Sequence, residues 1–308
     1  MNIKHNTVTS TLLLCLLCAN SSKGMDSHKR QNRNKLVEAI ELALQEIQIQ
    51  QQPPQRLNLE AGVHQDNRKK GQDRYEIREA GKYYIGAVYD GHGPADDVVN
   101  YVRKNLIEYI ITYTRNGASI LDSIKNTFTQ TECEINDCGL EGGTTALIAI
   151  LDKDTMKLHV ANLGDCRAVL CRNKNPFELS SDHKPNKPDE QKRIEEKGGY
   201  IEYDGVHRIN GLAVSRSFGD LDLKEENLGC IISEPEIVEE SLQPEDQFLI
   251  LASDGIWDVI DNQEAVTMVQ RAFKLKRTPL EAAAELVLKA KMNCSMDDLT
   301  VLIVRFNN

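Results

Sequence analysis

Two apolar runs of strand length each stop on an Asp-Gly pair. Tyr83-Tyr-Ile-Gly-Ala-Val-Tyr89 runs into Asp90-Gly91, and Phe248-Leu-Ile-Leu-Ala-Ser253 runs into Asp254-Gly255. An acidic pair, Asp297-Asp298, abuts a third run, Leu299 to Val304. Asp73, at the end of Arg68-Lys-Lys-Gly-Gln-Asp73, and Asp165, inside Asn162-Leu-Gly-Asp-Cys-Arg167, bring such motifs to five. Turns favour Asp and Gly, so each motif taken alone reads equally well as a loop. Five of them at the ends of buried strands would let carboxylates from distant parts of the chain converge on hard cations. Carboxylate oxygen suits magnesium or manganese and does not suit copper or structural zinc. On spacing alone, the turn reading and the metal reading stand side by side.

The remaining pattern predicts what carries these motifs. Ile-, Leu- and Val-rich runs predict strands over Tyr83–Tyr89, Thr144–Leu151, Lys157–Asn162, Ala168–Cys171, Gln247–Ala252 and Leu299–Phe306. Helical spacing predicts helices over Ala95–Arg115, Asp189–Lys197, Gln263–Phe273 and Pro279–Lys291. In the first helix the stripe is Val98, Val102, Leu106, Ile110 and Tyr113. These segments fit one domain over residues 57–308, with sheets as its core and helices as its cover. The net charge is −10, and residues 61–308 alone carry 30 Lys/Arg against 42 Asp/Glu. An acidic body of this kind argues against nucleic-acid binding, which needs clustered Lys and Arg.

The N-terminal part reads differently. Lys4 and His5 precede the short apolar run Leu12–Ala19, followed by Asn20, Ser21 and Ser22, which predicts a signal peptide over residues 1–22 and export of the chain. A start at Met25 is the alternative and would leave the protein in the cytoplasm. The run is far shorter than the roughly 20 residues that span a bilayer, and no other segment predicts a transmembrane helix. Residues 23–56 form a polar, Gln-rich lead-in with an amphipathic helix expected over Asn34–Gln50, ended by Pro53 and Pro54. Beyond the signal, six cysteines remain; Cys133 and Cys138 would suit a small disulfide loop after export, whereas the absence of a CxxC pair there speaks against a zinc knuckle.

Asp90-Gly-His-Gly93 resembles the signature of the metal-dependent protein phosphatases, the PPM or type 2C serine/threonine phosphatases. The resemblance continues in order through Gly142-Gly-Thr-Thr-Ala146, Asn162–Arg167, Ser181-Asp-His-Lys-Pro185 and Leu212-Ala-Val-Ser-Arg-Ser-Phe-Gly-Asp220. It ends with Glu234-Pro-Glu-Ile237, Asp254-Gly-Ile-Trp-Asp258 and Ser295-Met-Asp-Asp298, so that eight ordered matches cover about residues 60–306. It implies an α+β fold, a four-layer αββα sandwich of two mostly antiparallel sheets flanked by helices, acting as a monomer on phosphoserine and phosphothreonine in proteins. It also implies two manganese or magnesium ions, with Asp90 bridging, the Gly91 carbonyl as ligand, and Asp73, Asp254 and Asp297 completing the site. Asp258 would act through water, and Asp165 would hold a weaker third ion with Asp254. Arg68 stands where the family binds phosphate, and His92 where it protonates the leaving seryl or threonyl oxygen. Cations acidify a water that attacks phosphorus directly, so no phospho-enzyme is needed. The stretch His183–Leu212 corresponds to a flap that varies among members.

Three residues depart from the family pattern: Gln72 replaces a common Glu, Cys166 a Ser, and Asp298 an Asn. The last adds a negative charge beside the metal motifs, expected either to tighten ion binding or to disturb local hydrogen bonds. A pseudophosphatase serving as a binding module is the rival of a different class; a phosphatase of small molecules is the nearer rival. A formal Cys-x5-Arg match, Cys166 to Arg172, has a strand-like interior with no glycine to shape a phosphate cradle.

Overall fold

Side chains alternate faces along a strand, and that alternation divides the apolar residues of this chain among three packed layers. The computed structural model describes residues 58–226 and 229–307, with Lys35 and Glu38 besides. The chain divides into two units, 1–56 and 57–308, and the second holds every strand named here. The expected signal peptide lies outside the described residues, as does the helix expected over Asn34–Gln50, apart from Lys35 and Glu38, which are helical and exposed.

One five-stranded sheet has the order β1 (Asn58–Asp66), β15 (Leu299–Asn307), β14 (Asp246–Ala252), β8 (Arg167–Arg172) and β9 (Asn175–Glu178). The second has the order β13 (Glu236–Ser241), β7 (Lys157–Leu163), β6 (Ala146–Asp152), β3 (Tyr83–Tyr89) and β2 (Arg74–Ala80). All neighbours in both sheets are antiparallel. Three two-residue strands, β4 (Gly91–His92), β5 (Gly143–Thr144) and β12 (Phe218–Gly219), make a small third sheet; β10 (Glu202–Tyr203) pairs with β11 (His207–Arg208). The expected strand over Thr144–Leu151 is thus split, because Thr145 breaks the ladder to bond Asp90. The helices are α1 (Asp97–Arg115), α2 (Ile120–Cys138), α3 (Pro188–Glu196), α4 (Leu221–Glu226), α5 (Asp254–Trp257), α6 (Asn262–Lys274) and α7 (Pro279–Met292).

In β3, Ile85, Ala87 and Tyr89 pack with Val102 and Leu106 of α1 and Phe128 of α2. Tyr84 and Val88, on the opposite face, pack with Leu249, Leu251 and Leu302 of the other sheet. Strand β14 mirrors this: Phe248, Ile250 and Ala252 meet Val266, Val269 and Leu286 from α6 and α7. The result is the four-layer αββα sandwich. Each large apolar side chain buried in it contributes about 1.5–3 kcal/mol. Cys133 and Cys138 are both free and exposed, five residues apart on α2, and therefore face different sides of the helix instead of closing a loop.

Candidate active site

The ends of β3 and β14, the start of β15, the β7–β8 turn and the approach to β2 meet at one edge of the sandwich, and each delivers an aspartate. Asp90 follows β3, its N–H donating to Thr145 Oγ1 at 3.0 Å while its carbonyl accepts from Thr145 N–H at 2.9 Å. Gly91 pairs with Thr144; a Cβ there would stand 2.7 Å from the Gln72 carbonyl oxygen and 3.0 Å from Val99 Cγ1, so only glycine fits. Asp254 opens α5. Beside it, Ser253 Oγ donates to Asp73 Oδ2 at 2.9 Å and accepts from Thr300 N–H at 3.1 Å, locking three strands together. Oxygens of Asp90, Asp165 and Asp254 lie within 4.8 Å of one another. Asp258 and Asp297 line the same cavity of about 990 Å³, and Asp73 sits behind it, 1% exposed.

The electrostatics of this cluster are those of crowded carboxylates. Burial raises the Asp90 and Asp165 carboxyls well above their usual range, and neighbouring aspartates raise them further. Asp73 and Asp254 shift upward for the same first reason. Asp73 Oδ1 and Asp254 Oδ1 are buried without a hydrogen-bond partner among the described residues. Oxygen donors of like charge, two of them unsatisfied, fit magnesium or manganese. Lys184 offsets part of the charge, reaching Asp258 at 3.0 Å and Asp165 at 3.4 Å. Burial works against its ammonium, but Asp165, Asp258 and Asp254 more than compensate.

His92 lines the cavity with its Nε2 2.7 Å from Asp220 Oδ2. Ser217 Oγ donates to the same oxygen at 2.6 Å. Burial would raise the Asp220 carboxyl, yet the bond from His92 and its charge lower it overall. A Cβ on Gly143 would intrude between these two side chains and push them apart, so glycine there keeps the pair in contact. Asp220 and Lys184 lie within the family motifs, but nothing in the sequence pairs them with His92 or the aspartates.

Arg68 does not join the cluster. Its guanidinium donates to the Ser295 carbonyl, and the cavity wall carries Lys69 and Lys70 in its place. Lys69 Nζ stands 3.0 Å from Asp297 Oδ2, and that bond raises its affinity for a proton. The departures from the family pattern each acquire a partner. Gln72 donates to Asp96 Oδ1 at 2.8 Å, and buried Cys166 meets Thr145 Oγ1 at 3.2 Å. Asp298 accepts four backbone N–H bonds; burial opposes its charge but those bonds hold it below the ordinary carboxylate range. Burial pushes the Cys166 thiol up, and Arg172 pairs with Asp246 at 2.8 Å, so the Cys-x5-Arg match carries no nucleophile.

A double sheet between helix layers, with carboxylates converging at the strand ends, is an arrangement that suits divalent cations. The family model described as "Protein phosphatase 2C" matches residues 56–299, and the chain belongs to that family. It is 40% identical over 244 residues to "Probable protein phosphatase 2C 59" of Arabidopsis thaliana, covering 76% of this chain and 75% of that one. It is 41% identical over 227 residues to "Probable protein phosphatase 2C 45" of Oryza sativa subsp. japonica, covering 71% and 75%. The fold is similar to that of the serine-threonine phosphatase 2C from Toxoplasma gondii, with TM-score 0.69, 23% identity, and coverage of 83% of this chain and 97% of that one. It is also similar to a C. elegans sex determining protein, with TM-score 0.71 at 20% identity over 94% of this chain and 77% of that one. The protein is a metal-dependent serine/threonine phosphatase.

Proposed function

We propose that Asp73, Asp90, Asp254, Asp297 and the Gly91 carbonyl hold two manganese or magnesium ions, with Asp258 acting through water and Asp165 holding a weaker third ion. The observation that carries this reading is the convergence of Asp90, Asp165 and Asp254 oxygens within 4.8 Å. Bound ions supply Lewis-acid charge and an acidified water, which is what hydrolysis of a phosphate dianion needs. The rest is the work of side chains. His92, its Nε2–H directed at Asp220, keeps Nδ1 to carry the proton for the departing seryl or threonyl oxygen. Lys69 and Lys70 bring positive charge to the cavity wall where a phosphate would enter. Arg68 reaches a phosphate only by leaving the Ser295 carbonyl. The segment His183–Leu212 borders the cavity through Val206, Arg208, Asn210 and Gly211, which supports its role in substrate choice.

The test compares manganese-dependent hydrolysis of phosphoserine and phosphothreonine peptides by wild type, Asp90→Ala and Asp254→Ala. Loss of turnover in both variants is expected, and equal activity in all three would refute the assignment. A panel adding small phosphorylated metabolites separates a protein phosphatase from a small-molecule one. Export through residues 1–22 is proposed on their charge and apolar pattern. N-terminal sequencing of the mature protein tests it, and an intact Met1 or a start at Met25 would count against it.

A further inference from the structure

The approach to Asp73 is a loop, Arg68–Gln72; Asp96 and Arg74 bond its end, and one side chain from the β15 turn, Asp298, gathers four of its backbone amides. Asp298 Oδ1 accepts from the N–H of Arg68 at 2.7 Å and of Lys69 at 2.8 Å. Its Oδ2 accepts from the N–H of Gly71 at 2.8 Å and of Gln72 at 3.1 Å. Gly71, with φ at 71°, supplies the left-handed step that turns these amides inward as a nest around a carboxylate. The Arg68 guanidinium, donating to the Ser295 carbonyl, ties the same loop to the same turn a second time.

We propose that Asp298 is a positioning residue: its carboxylate folds the 68–72 loop and thereby sets Asp73 and Lys69 at the cavity, with neither oxygen left for an ion or a substrate. This rests on the phosphatase reading above. Asp73 comes directly after the last tethered amide, and Lys69 carries one of the tethered amides itself, so slack in the loop would free Lys69 and leave Asp73 held by Gln65, Arg74 and Ser253. The Asn that the family pattern favours at this place offers one acceptor oxygen and an NH2 group. The NH2 would face two backbone N–H groups donor to donor, leaving them unsatisfied. The extra negative charge of this chain is therefore taken up by the loop.

The test uses the full chain and Asp298→Asn. In EDTA, the amides of residues 68, 69, 71 and 72 are expected to exchange with deuterium at least about tenfold faster in the variant, since half their acceptors are lost. Manganese affinity measured by calorimetry is expected to fall about 10–100-fold, the usual effect of removing a group that orients a ligand. Saturating manganese should restore most of kcat. Unchanged protection together with unchanged manganese affinity would overturn the proposal. Wild type gives a check that does not depend on the variant folding: rapid exchange of those four amides in EDTA would overturn it too. Amide protection is read without metal or substrate, so it stands or falls apart from turnover, whose absence in wild type would instead undo the phosphatase reading.

Discussion

At the scale of single residues, the pair His92–Asp220 is the contact that sequence order conceals most completely. The two stand 128 positions apart, and each sits in a motif that is legible alone. That aspartates stand at these strand ends was legible because an Asp-Gly turn after an apolar run leaves a mark in the string. A hydrogen bond across the cavity leaves none, and the same holds for Lys184 between Asp165 and Asp258. Arg68 shows the converse: its position matches the family motif, and what the sequence does not show is that its guanidinium bonds the Ser295 carbonyl. The His92 assignment has a consequence that depends on the leaving group. A seryl oxygen departs poorly without a proton, whereas p-nitrophenolate needs none. His92→Gln is therefore expected to lower kcat on phosphoserine peptides by about 10²–10⁴ and to change p-nitrophenyl phosphate turnover far less. Asp220→Asn should move both in the same direction by less, because it removes orientation and not the proton. Equal losses on the two substrates would remove His92 from the proton-donor role.

Among elements, a continuous apolar run or stripe is legible in the sequence, and an inward face that mixes polar with apolar residues mostly is not. Helix α2 buries Ser123, Thr127 and Thr131 along with Ile124, Phe128 and Ile135, so its inward stripe is half polar and invisible to hydrophobic periodicity. Strand β2 reads Arg-Tyr-Glu-Ile-Arg-Glu-Ala and lies at a sheet edge, where only register with β3 makes it a strand. Helix α3 was read, but what it anchors was not. Its Glu190 accepts from Ser215 Oγ at 2.6 Å, Arg193 at 2.8 Å and Arg216 at 2.6 Å, fastening the flap region to the segment that leads to Asp220. Burial opposes the charge on Glu190, but the bonds from Arg216, Arg193 and Ser215 prevail and lower its pKa to about 2. A depressed carboxylate contributes stability that is whole above its unfolded value, near 4.5, and is lost as pH falls toward 2. His183 works in the same direction over a higher window: burial, then Arg216, lower it to about 4, so stability falls between its unfolded value of about 6.5 and that point. The raised aspartates of the cavity act in the opposite sense as pH falls, so the two windows are read as differences between wild type and variants in denaturant titrations from pH 7 to 2.5. Glu190→Gln is expected to cost about 3 kcal/mol at pH 7 and to flatten the lower window, while loss of its charge lowers His183 further. A lower slope as steep as that of wild type would show that the acid sensitivity arises elsewhere.

For the whole molecule, the sandwich and its site are in energetic opposition. Three cores hold the sheets and helices together, while the edge where the strands end gathers buried and half-buried carboxylates that desolvation and mutual repulsion push toward protonation. The net charge of −10 offers little relief, and Lys184 and Lys69 neutralise only part of the cluster. Cation binding should therefore appear as folding stability. At manganese concentrations about 100 times its Kd, linkage gives roughly 2.7 kcal/mol. For a domain of this size that corresponds to a rise in Tm of about 5–10 °C over the EDTA-treated protein. Asp90→Asn separates this from simple tightening of the fold. Removing the central like charge should raise the Tm in EDTA above that of wild type, because the half-buried carboxyl it replaces stands among its own kind. The same variant should lose most of the manganese-dependent rise. Thermal melts of both proteins, with EDTA and across a manganese titration, read the two effects in one experiment. An equal manganese rise in Asp90→Asn would place the stabilising ion away from this cluster, and a lower Tm in EDTA would mean that Asp90 is held by bonds stronger than the repulsion it meets.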